Sequence, residues 1–455
     1  MRTGLTLAIA RRRLLRLACA ILVAASAAGR AEAATYAQRA DALVRAYVAE
    51  GRFSGTVLVA REGRPVFRKS YGLANREWDA PATEDTRYRI GSMTKQFTAV
   101  SILQLAEAGK LALDDPVSRY YPEAPPAWGA VTLRHLLTHT SGIVSHPSFH
   151  GPFAAQARQD WTPEQIVALT RDQPLAFTPG ARFAYDNTGY DLLGLIVERV
   201  SGEPYAAYLR DHVFRPAGLT HTGFDVATEI LPHRATGYSL VGDHVENAPY
   251  LSMSVLYAAG GLYSTVDDLL TWDLALHGGK VLAPTSLAEM FRDQGFHYGF
   301  GEFIDVDQGH RHWGHGGGLL GFASMLDHYP DDGLTVVVLS NLEQANATRI
   351  ARVLALLYFD PALADRPSGS TTPGERAAYV GRYQLAPRLM AEVSQDQGRL
   401  FVQIGGQPSI ELLREFGRTF FMTTLPFQVT FADGGPAGAL VLHQGLQDTA
   451  ARRLE

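Results

Sequence analysis

Apolar residues recur at two different periods along this chain, and the order in which the periods alternate sketches its architecture. Between Thr35 and Glu50, the residues Tyr36, Ala40, Leu43, Val44 and Tyr47 fall at helical spacing, which predicts an amphipathic helix. Phe53 to Ala60 and Pro65 to Tyr71 then read as two strands of a hairpin around the polar turn Arg61-Glu62-Gly63-Arg64. From Ser92 the helical period returns: Met93, Phe97, Val100, Ile102, Leu103 and Leu105 supply a broad apolar surface, and Gly109 can end the helix. A long middle section rich in Pro, Gly and short helical patterns follows, including a helix over Thr188 to Val200. Strand signals resume in Phe300 to Val306, Phe322 to Tyr329 and Leu334 to Leu339, the last two joined by the turn Asp331-Asp332-Gly333. Ala345 to Tyr358 reads as a closing helix. Strands, helices, then strands again imply an α/β (α+β) domain whose sheet is made from both ends, with helical material inserted between them.

Pro361 to Arg376 is rich in Pro, Gly and Ser and reads as a linker. Beyond it, Tyr379 to Leu385, Arg399 to Ile404, Ile410 to Arg414, Thr419 to Thr423, Gln428 to Phe431 and Ala439 to His443 form short strand patterns with Gly-containing turns. That predicts a small all-β barrel or sandwich. The expected division is therefore 1–33, 34–360, a linker over 361–376, and 377–455.

Composition adds three constraints. The 455 residues are 46% hydrophobic and 19% charged, enough for two or three domains with sizeable cores. The net charge of −5, with no long basic run after the N-terminus, excludes nucleic acid as an expected partner. Finally, Arg11-Arg12-Arg13-Leu14-Leu15-Arg16 precedes the apolar run Leu17 to Ala28, and Ala31-Glu32-Ala33 offers a cleavage site. This predicts a bacterial signal peptide, a mature chain starting near Ala34, and a periplasmic or secreted protein; the arginine cluster also fits a twin-arginine signal. The run is shorter than the roughly 20 residues a membrane span needs, so no span is expected after signal removal. The sole cysteine, Cys19, lies inside the signal, and disulfides, Cys-ligated metals and a thiol nucleophile are not expected in the mature chain.

The chemistry starts at Gly91-Ser92-Met93-Thr94-Lys95. Residues one turn apart share a helix face, so Lys95 can bring its amine to the Ser92 hydroxyl. A serine is a weak nucleophile, and a lysine desolvated at the root of a buried helix can lose its charge and act as its base. The spacing alone also fits a solvated helix start capped by Ser92. Phe183-Ala184-Tyr185-Asp186-Asn187 places Tyr185 and Asn187 two apart before a helix, which by itself fits a capped turn. Trp313-Gly314-His315-Gly316-Gly317-Gly318 is glycine-rich beside a strand, where a backbone or ligand can approach closely; a flexible loop is the other reading. His310, His312 and His315 do not make a metal site on this pattern, because on a strand the first two share a face and the third points away. His315-Gly316-Gly317-Gly318 also spells a lipase oxyanion motif, but no serine here has the nucleophile-elbow context that motif needs.

Taken together, Ser92-x-x-Lys95, Tyr185-x-Asn187 and His315-Gly316-Gly317 resemble the three ordered motifs of the penicillin-recognising serine hydrolases. That family includes class C β-lactamases, D-alanyl-D-alanine carboxypeptidases, D-aminopeptidases and related esterases. Leu136 to Gly142, the Pro179-Gly180 lead into Tyr185, and Ala259 to Thr265 look like the same family's text, so the resemblance spans residues 36–358. It implies an antiparallel β-lactamase/transpeptidase-like sheet flanked by helices, and acyl transfer without a cofactor. By position it implies Ser92 as the acylated nucleophile, Lys95 as its base and Tyr185 as the proton shuttle, with Lys95 keeping the phenol acidic. Asn187, His315, Gly316 and Gly317 would bind substrate, and the N–H groups of Ser92 and Gly318 would form the oxyanion hole. One departure matters: β-lactamases and carboxypeptidases usually carry Lys-Thr-Gly or Lys-Ser-Gly in the third motif, where the lysine helps hold a carboxylate. A neutral imidazole is a poorer anion anchor. The expectation is thus an exported hydrolase of small amides, short peptides or esters, resembling the H-x-G aminopeptidases and esterases. The alternatives are a β-lactamase or carboxypeptidase, or a non-catalytic binder of cell-wall fragments. Tyr379-Val380-Gly381-Arg382-Tyr383, Gly398-Arg399-Leu400 and Phe420-Phe421 resemble the lipocalin-like β domain appended to some members. That resemblance suggests roles in substrate access, oligomerisation or stability.

Overall fold

The computed structural model describes residues 35–147, 153–241, 244–307, 309–361, 371–387, 389–422, 427–432, 437–444 and 447–454. The expected signal peptide and most of the expected linker lie outside these residues. No helix among the described residues is long and apolar enough to cross a membrane.

Helix α1 covers residues 35–49, followed by the hairpin β1 (Gly55–Arg61) and β2 (Arg64–Tyr71). The helical section holds α2 (Thr94–Glu107), α3 (Asn187–Ser201) and α4 (Val266–His277). Then come β3 (Phe303–Asp307), β4 (His310–Leu319), β5 (Phe322–Tyr329), β6 (Leu334–Ser340) and α5 (Ala347–Phe359). These strands form one antiparallel six-stranded sheet in the order β3-β4-β5-β6-β1-β2, so both ends of the domain meet at the β6–β1 pair. Period-two alternation divides the central strands between two cores. Leu58, Ala60, Val337 and Leu339 face α2, α3 and α4, while Val57, Val59, Val336 and Val338 face α1 and α5. Strands buried on both faces read as continuous apolar runs, as Gly55–Arg61 and Leu334–Ser340 do.

Two local expectations change, and one open alternative is decided. The α-helix expected from Ser92 begins at Thr94, and Ser92 itself sits in a single 3₁₀ turn, Gly91–Met93. Gly91 enters that turn at φ +52°, with β4 so close that a Cβ there would lie 3.2 Å from Gly318 N. The glycine-rich stretch Gly314–Gly318 is strand, not loop, because β4 runs from His310 to Leu319 in full register with β5. The end of the expected linker is helical: α6 (Pro373–Tyr379) starts with a capping box between Thr372 and Glu375.

The C-terminal region is a closed eight-stranded antiparallel barrel: β7 (Gly381–Ala386), β8 (Leu389–Asp396), β9 (Arg399–Ile404), β10 (Ile410–Phe416), β11 (Thr419–Met422), β12 (Phe427–Phe431), β13 (Ala439–Gln444) and β14 (Gln447–Leu454). The pattern reading missed β8 and β14. Each turns few large apolar residues inward — Ala391 and Val393 in β8, Ala451 in β14 — and barrel closure, not local propensity, holds them in place. The barrel touches the α1–α5 layer, opposite the Ser92 layer. There Phe421 packs on Tyr47 and under the Arg349 guanidinium, and Arg52 Nη2 donates to Glu411 Oε2 at 3.1 Å.

Candidate active site

Helix α2 is buried on every side, eleven of its fourteen residues including Lys95, and several of its buried polar groups are individually bonded. Gln96 accepts from the Trp272 indole at 2.8 Å, and Thr98 donates to the Ala258 carbonyl at 2.7 Å. Such a helix brings Lys95 into the core at the foot of half-buried Ser92. The Lys95 amine meets three oxygens, Ser92 Oγ at 3.1 Å, Asn187 Oδ1 at 2.8 Å and Ala259 O at 2.8 Å. The amine donates to all three, and once it has lost a proton its lone pair can accept the Ser92 O–H instead. Burial pushes Lys95 down to about 7, against the pull of the buried carboxylates Asp191 and Asp186.

Asn187 is the first residue of α3, and Asp186, not Asn187, caps the helix by accepting from Gly189 N–H. Two further bonds hold this corner. Asn187 N–H donates to Ser145 Oγ at 3.1 Å, and Asp186 N–H donates to His139 Nδ1 at 3.0 Å. Because Nδ1 accepts, the His139 proton sits on Nε2, which lies 3.2 Å from the Tyr298 hydroxyl. His139 therefore secures the loop, and its ring packs 4.3 Å from that of Tyr185.

Tyr185 is 36% exposed, with the Lys95 amine 4.8 Å from its ring centre. The expectation that Lys95 keeps this phenol acidic is corrected here. The amine lies under the ring face, and crowding around the hydroxyl raises the phenol above its ordinary value, with the Ser92 hydroxyl opposing. In the free site Tyr185 is a protonated donor.

Strand β4 forms the opposite wall. Leu319 and Phe322 close a two-residue turn, so alternate residues Gly316 and Gly318 direct N–H and C=O away from β5. Strand β3 pairs only as far as Phe303 opposite Gly314, which leaves that edge open beside Ser92. A side chain at Gly317 would put its Cβ 1.9 Å from the Ile90 carbonyl, and Gly318 faces open space. These glycines thus admit the Ser92 turn on one side and leave the Gly318 N–H free to meet a ligand. The Ser92 N–H, at the head of the α2 entry turn, is of the kind a helix start leaves unbonded. His315 is 3% exposed, and burial, with Lys95 nearby, pushes it down to about 3. It is a neutral imidazole whose Nδ1 lies against Gly316 O and whose Nε2 has no protein partner.

The strand histidines separate as their pattern implied: His310 bonds Asp332, His312 bonds Asp327, and His315 lies on the other face. Among the described residues, the group with a metal-like donor set is one sequence reading did not single out, because its members are far apart in the chain. Asp273 and His277 of α4 and His328 of β5 place ligand atoms within 4.8 Å of one another. Internal bonds already engage it: His328 and Thr335 donate to Asp273 Oδ2 at 3.0 and 2.7 Å, and the Trp313 indole donates to His277.

A serine, a buried amine, a phenol and an open strand edge meet around one point on a β-lactamase-like scaffold. The beta-lactamase family model matches residues 40–358, and the chain belongs to that family. It is 36% identical to the putative penicillin-binding protein PbpX of Bacillus subtilis, over 66% of this chain and 73% of that one. Penicillin-binding protein 4* of the same organism is 30% identical across 88% of this chain and 95% of its own, and so extends over the barrel region. Esterase EstB of Burkholderia gladioli is 38% identical over 42% of this chain and 53% of its own. Among solved structures, a D-stereospecific amidohydrolase from Streptomyces superimposes with a TM-score of 0.61 at 31% identity, covering 71% of this chain and 99% of that one.

Proposed function

We propose that this protein is an exported serine hydrolase that cleaves small neutral esters or amides through an acyl-enzyme on Ser92. The observation that carries the reading is the Lys95 amine, fully buried, pushed down to about 7 and 3.1 Å from Ser92 Oγ. Ser92 Oγ attacks the substrate carbonyl while its proton passes to the Lys95 nitrogen. The resulting oxyanion is held by the N–H groups of Ser92 and Gly318. Tyr185 donates its phenolic proton to the departing alkoxide or amine, the C–O or C–N bond breaks, and the Lys95 ammonium reprotonates the phenolate. Water then attacks the ester, giving its proton to the same pair, and Ser92 recovers its own. Asn187 holds Lys95 through Oδ1 and leaves its amide N–H₂ for a substrate carbonyl.

Esterase and amidase relatives support this reading over a carboxypeptidase or β-lactamase. So does His315: a neutral, buried ring cannot anchor a carboxylate as an ammonium does. The penicillin-binding relatives favour a second reading, in which penicillin acylates Ser92 and is released slowly. Export rests on the arginine cluster and apolar run ahead of Ala34. The test is intact-mass analysis after a fluorophosphonate probe, on the wild type and Ser92→Ala. One adduct on the wild type alone is expected; an unlabelled, folded wild type moves the protein to the non-catalytic binders.

A further inference from the structure

Around the mouth of the site, aromatic rings form an unbroken chain of contacts. From Tyr185 it passes through His139 to Phe183 (4.3 and 5.7 Å between ring centres), then to Tyr298 at 5.5 Å. Tyr298 meets Phe303 edge-on at 4.8 Å, Phe303 meets His315 at 5.2 Å, and His315 returns to Tyr185 at 6.0 Å. Phe296 extends the rim beyond Phe183 at 6.5 Å. Three of these rings face solvent: Tyr185 and Phe296 at 36% and Phe303 at 42% exposure. Large apolar side chains left outside a core cost free energy, and a cluster of them beside a cleft marks a surface that a ligand covers.

The exposed rings are also held in place. Asp293 Oδ1 accepts from the N–H groups of Gly295 and Phe296 at 2.9 and 3.0 Å, and Ile304 N–H donates to the His297 carbonyl at 2.9 Å. Phe303 itself begins β3, paired opposite Gly314. The rim is thus organised before anything binds. Its charged groups are engaged: the Asp293 carboxylate is turned to the Gly295 and Phe296 N–H groups, and Arg182 lies over the Phe177 ring at 4.5 Å, while the His315 ring is neutral.

Position sets the size of the occupant. His315, against which Phe303 packs, is three residues from Gly318 along an extended strand, about 10 Å at strand rise. A substrate whose carbonyl oxygen sits at Gly318 N–H therefore reaches Phe303 only with a chain or ring several atoms from the reacting carbon.

We propose that Phe303 and Phe296, with Tyr298 behind them, form an apolar subsite that selects neutral esters or amides bearing an aryl or medium alkyl group several atoms from the scissile carbonyl. This rests on the Ser92 acylation reading, and the test separates the two. The mature protein, Phe303→Ala, Phe296→Ala/Phe303→Ala and Phe303→Leu are first titrated with a small fluorophosphonate. Then kcat/KM is measured for an acetate ester, a 4-phenylbutyrate ester and a glutarate monoester, and for acetates of small and aryl-alkyl alcohols. The readout is the aryl-alkyl to small ratio, which partial misfolding does not move. In the wild type at least one series should favour the aryl-alkyl member by about tenfold or more, with the glutarate monoester poorest. The double variant should lose about tenfold of that ratio, and Phe303→Leu should retain most of it. Absence of labelling overturns the acylation reading itself. Labelling with flat series, a preference for the carboxylate ester, or a ratio unchanged in the double variant overturns the subsite alone.

Discussion

Two buried polar clusters lie on the same side of the sheet, and they treat charge in opposite ways. Around Lys95 the immediate partners are oxygens of uncharged groups — Ser92, Asn187 and the Ala259 carbonyl — and burial wins, driving the amine toward neutrality. Around Asp273 the partners are donors. Burial alone would raise that carboxyl, but His328 and His277 beside it outweigh burial and hold it well below its ordinary range. Burial among uncharged partners makes a reactive base; burial beside two imidazoles makes a fixed joint between α4 and β5. The contrast is between a site where stability is given up for chemistry and one where charge contributes stability.

Four variants and one pH profile can break or sharpen that contrast. The largest effect is expected in the reactive cluster: Ser92→Ala should cost about 10⁴-fold or more in kcat/KM for any ester cleaved, with the fold intact by circular dichroism. Lys95→Met should follow, at about 10³-fold, and should do the opposite to stability. The Lys95 value falls from 10.5 to about 7 on folding, so between those pH values the unfolded chain binds more protons and wild-type stability rises with pH. Lys95→Met should therefore be the more stable protein at pH 7, by about 2 kcal/mol after the lost hydrogen bonds, with the difference shrinking toward pH 10. A variant destabilised at pH 7 would mean the amine is not held under strain. The same ionisation should give kcat/KM an acid limb near pH 7, rising as Lys95 loses its proton.

Asp273→Ala is expected to act in the reverse sense. It should lower stability by about 3 kcal/mol in denaturant melts while Ser92 is still labelled by the fluorophosphonate. Because the folded carboxyl is depressed, its contribution is present above the unfolded value near 4 and fades as pH falls below it. A loss of labelling in proportion to the loss of stability would show that the two clusters are one unit. The smallest effect belongs to the opposite side of the sheet. Arg52→Ala removes a partly exposed ion pair to Glu411 of the barrel and should cost under about 1 kcal/mol.

Much of this was legible in the order of residues. The six-stranded sheet built from both ends follows from the apolar runs near Val57 and Val337 and from the tight turn at Asp331 to Gly333. Ser92 and Lys95 stand at helical spacing, and the two later motifs made that spacing meaningful. The barrel's strands were legible wherever large apolar residues alternate, as in Arg399–Ile404, and illegible in Gln447–Leu454, whose place depends on the strands either side.

Spacing along the chain thus set the sheet, the helix and the pairing of a serine with a lysine, since periods of two and 3.6 are local geometry that a sequence carries within itself. Assembly decided the rest. Ala259, Asn187 and Lys95 are brought together from three distant segments, and only their packing buries the amine deeply enough for it to lose its charge. Likewise only the short reach of β3 leaves the edge of β4 open, and only the fold gathers Phe183, Phe296 and Phe303 around it. Protonation states and exposed edges are properties of surroundings, and surroundings exist only once the chain has closed on itself.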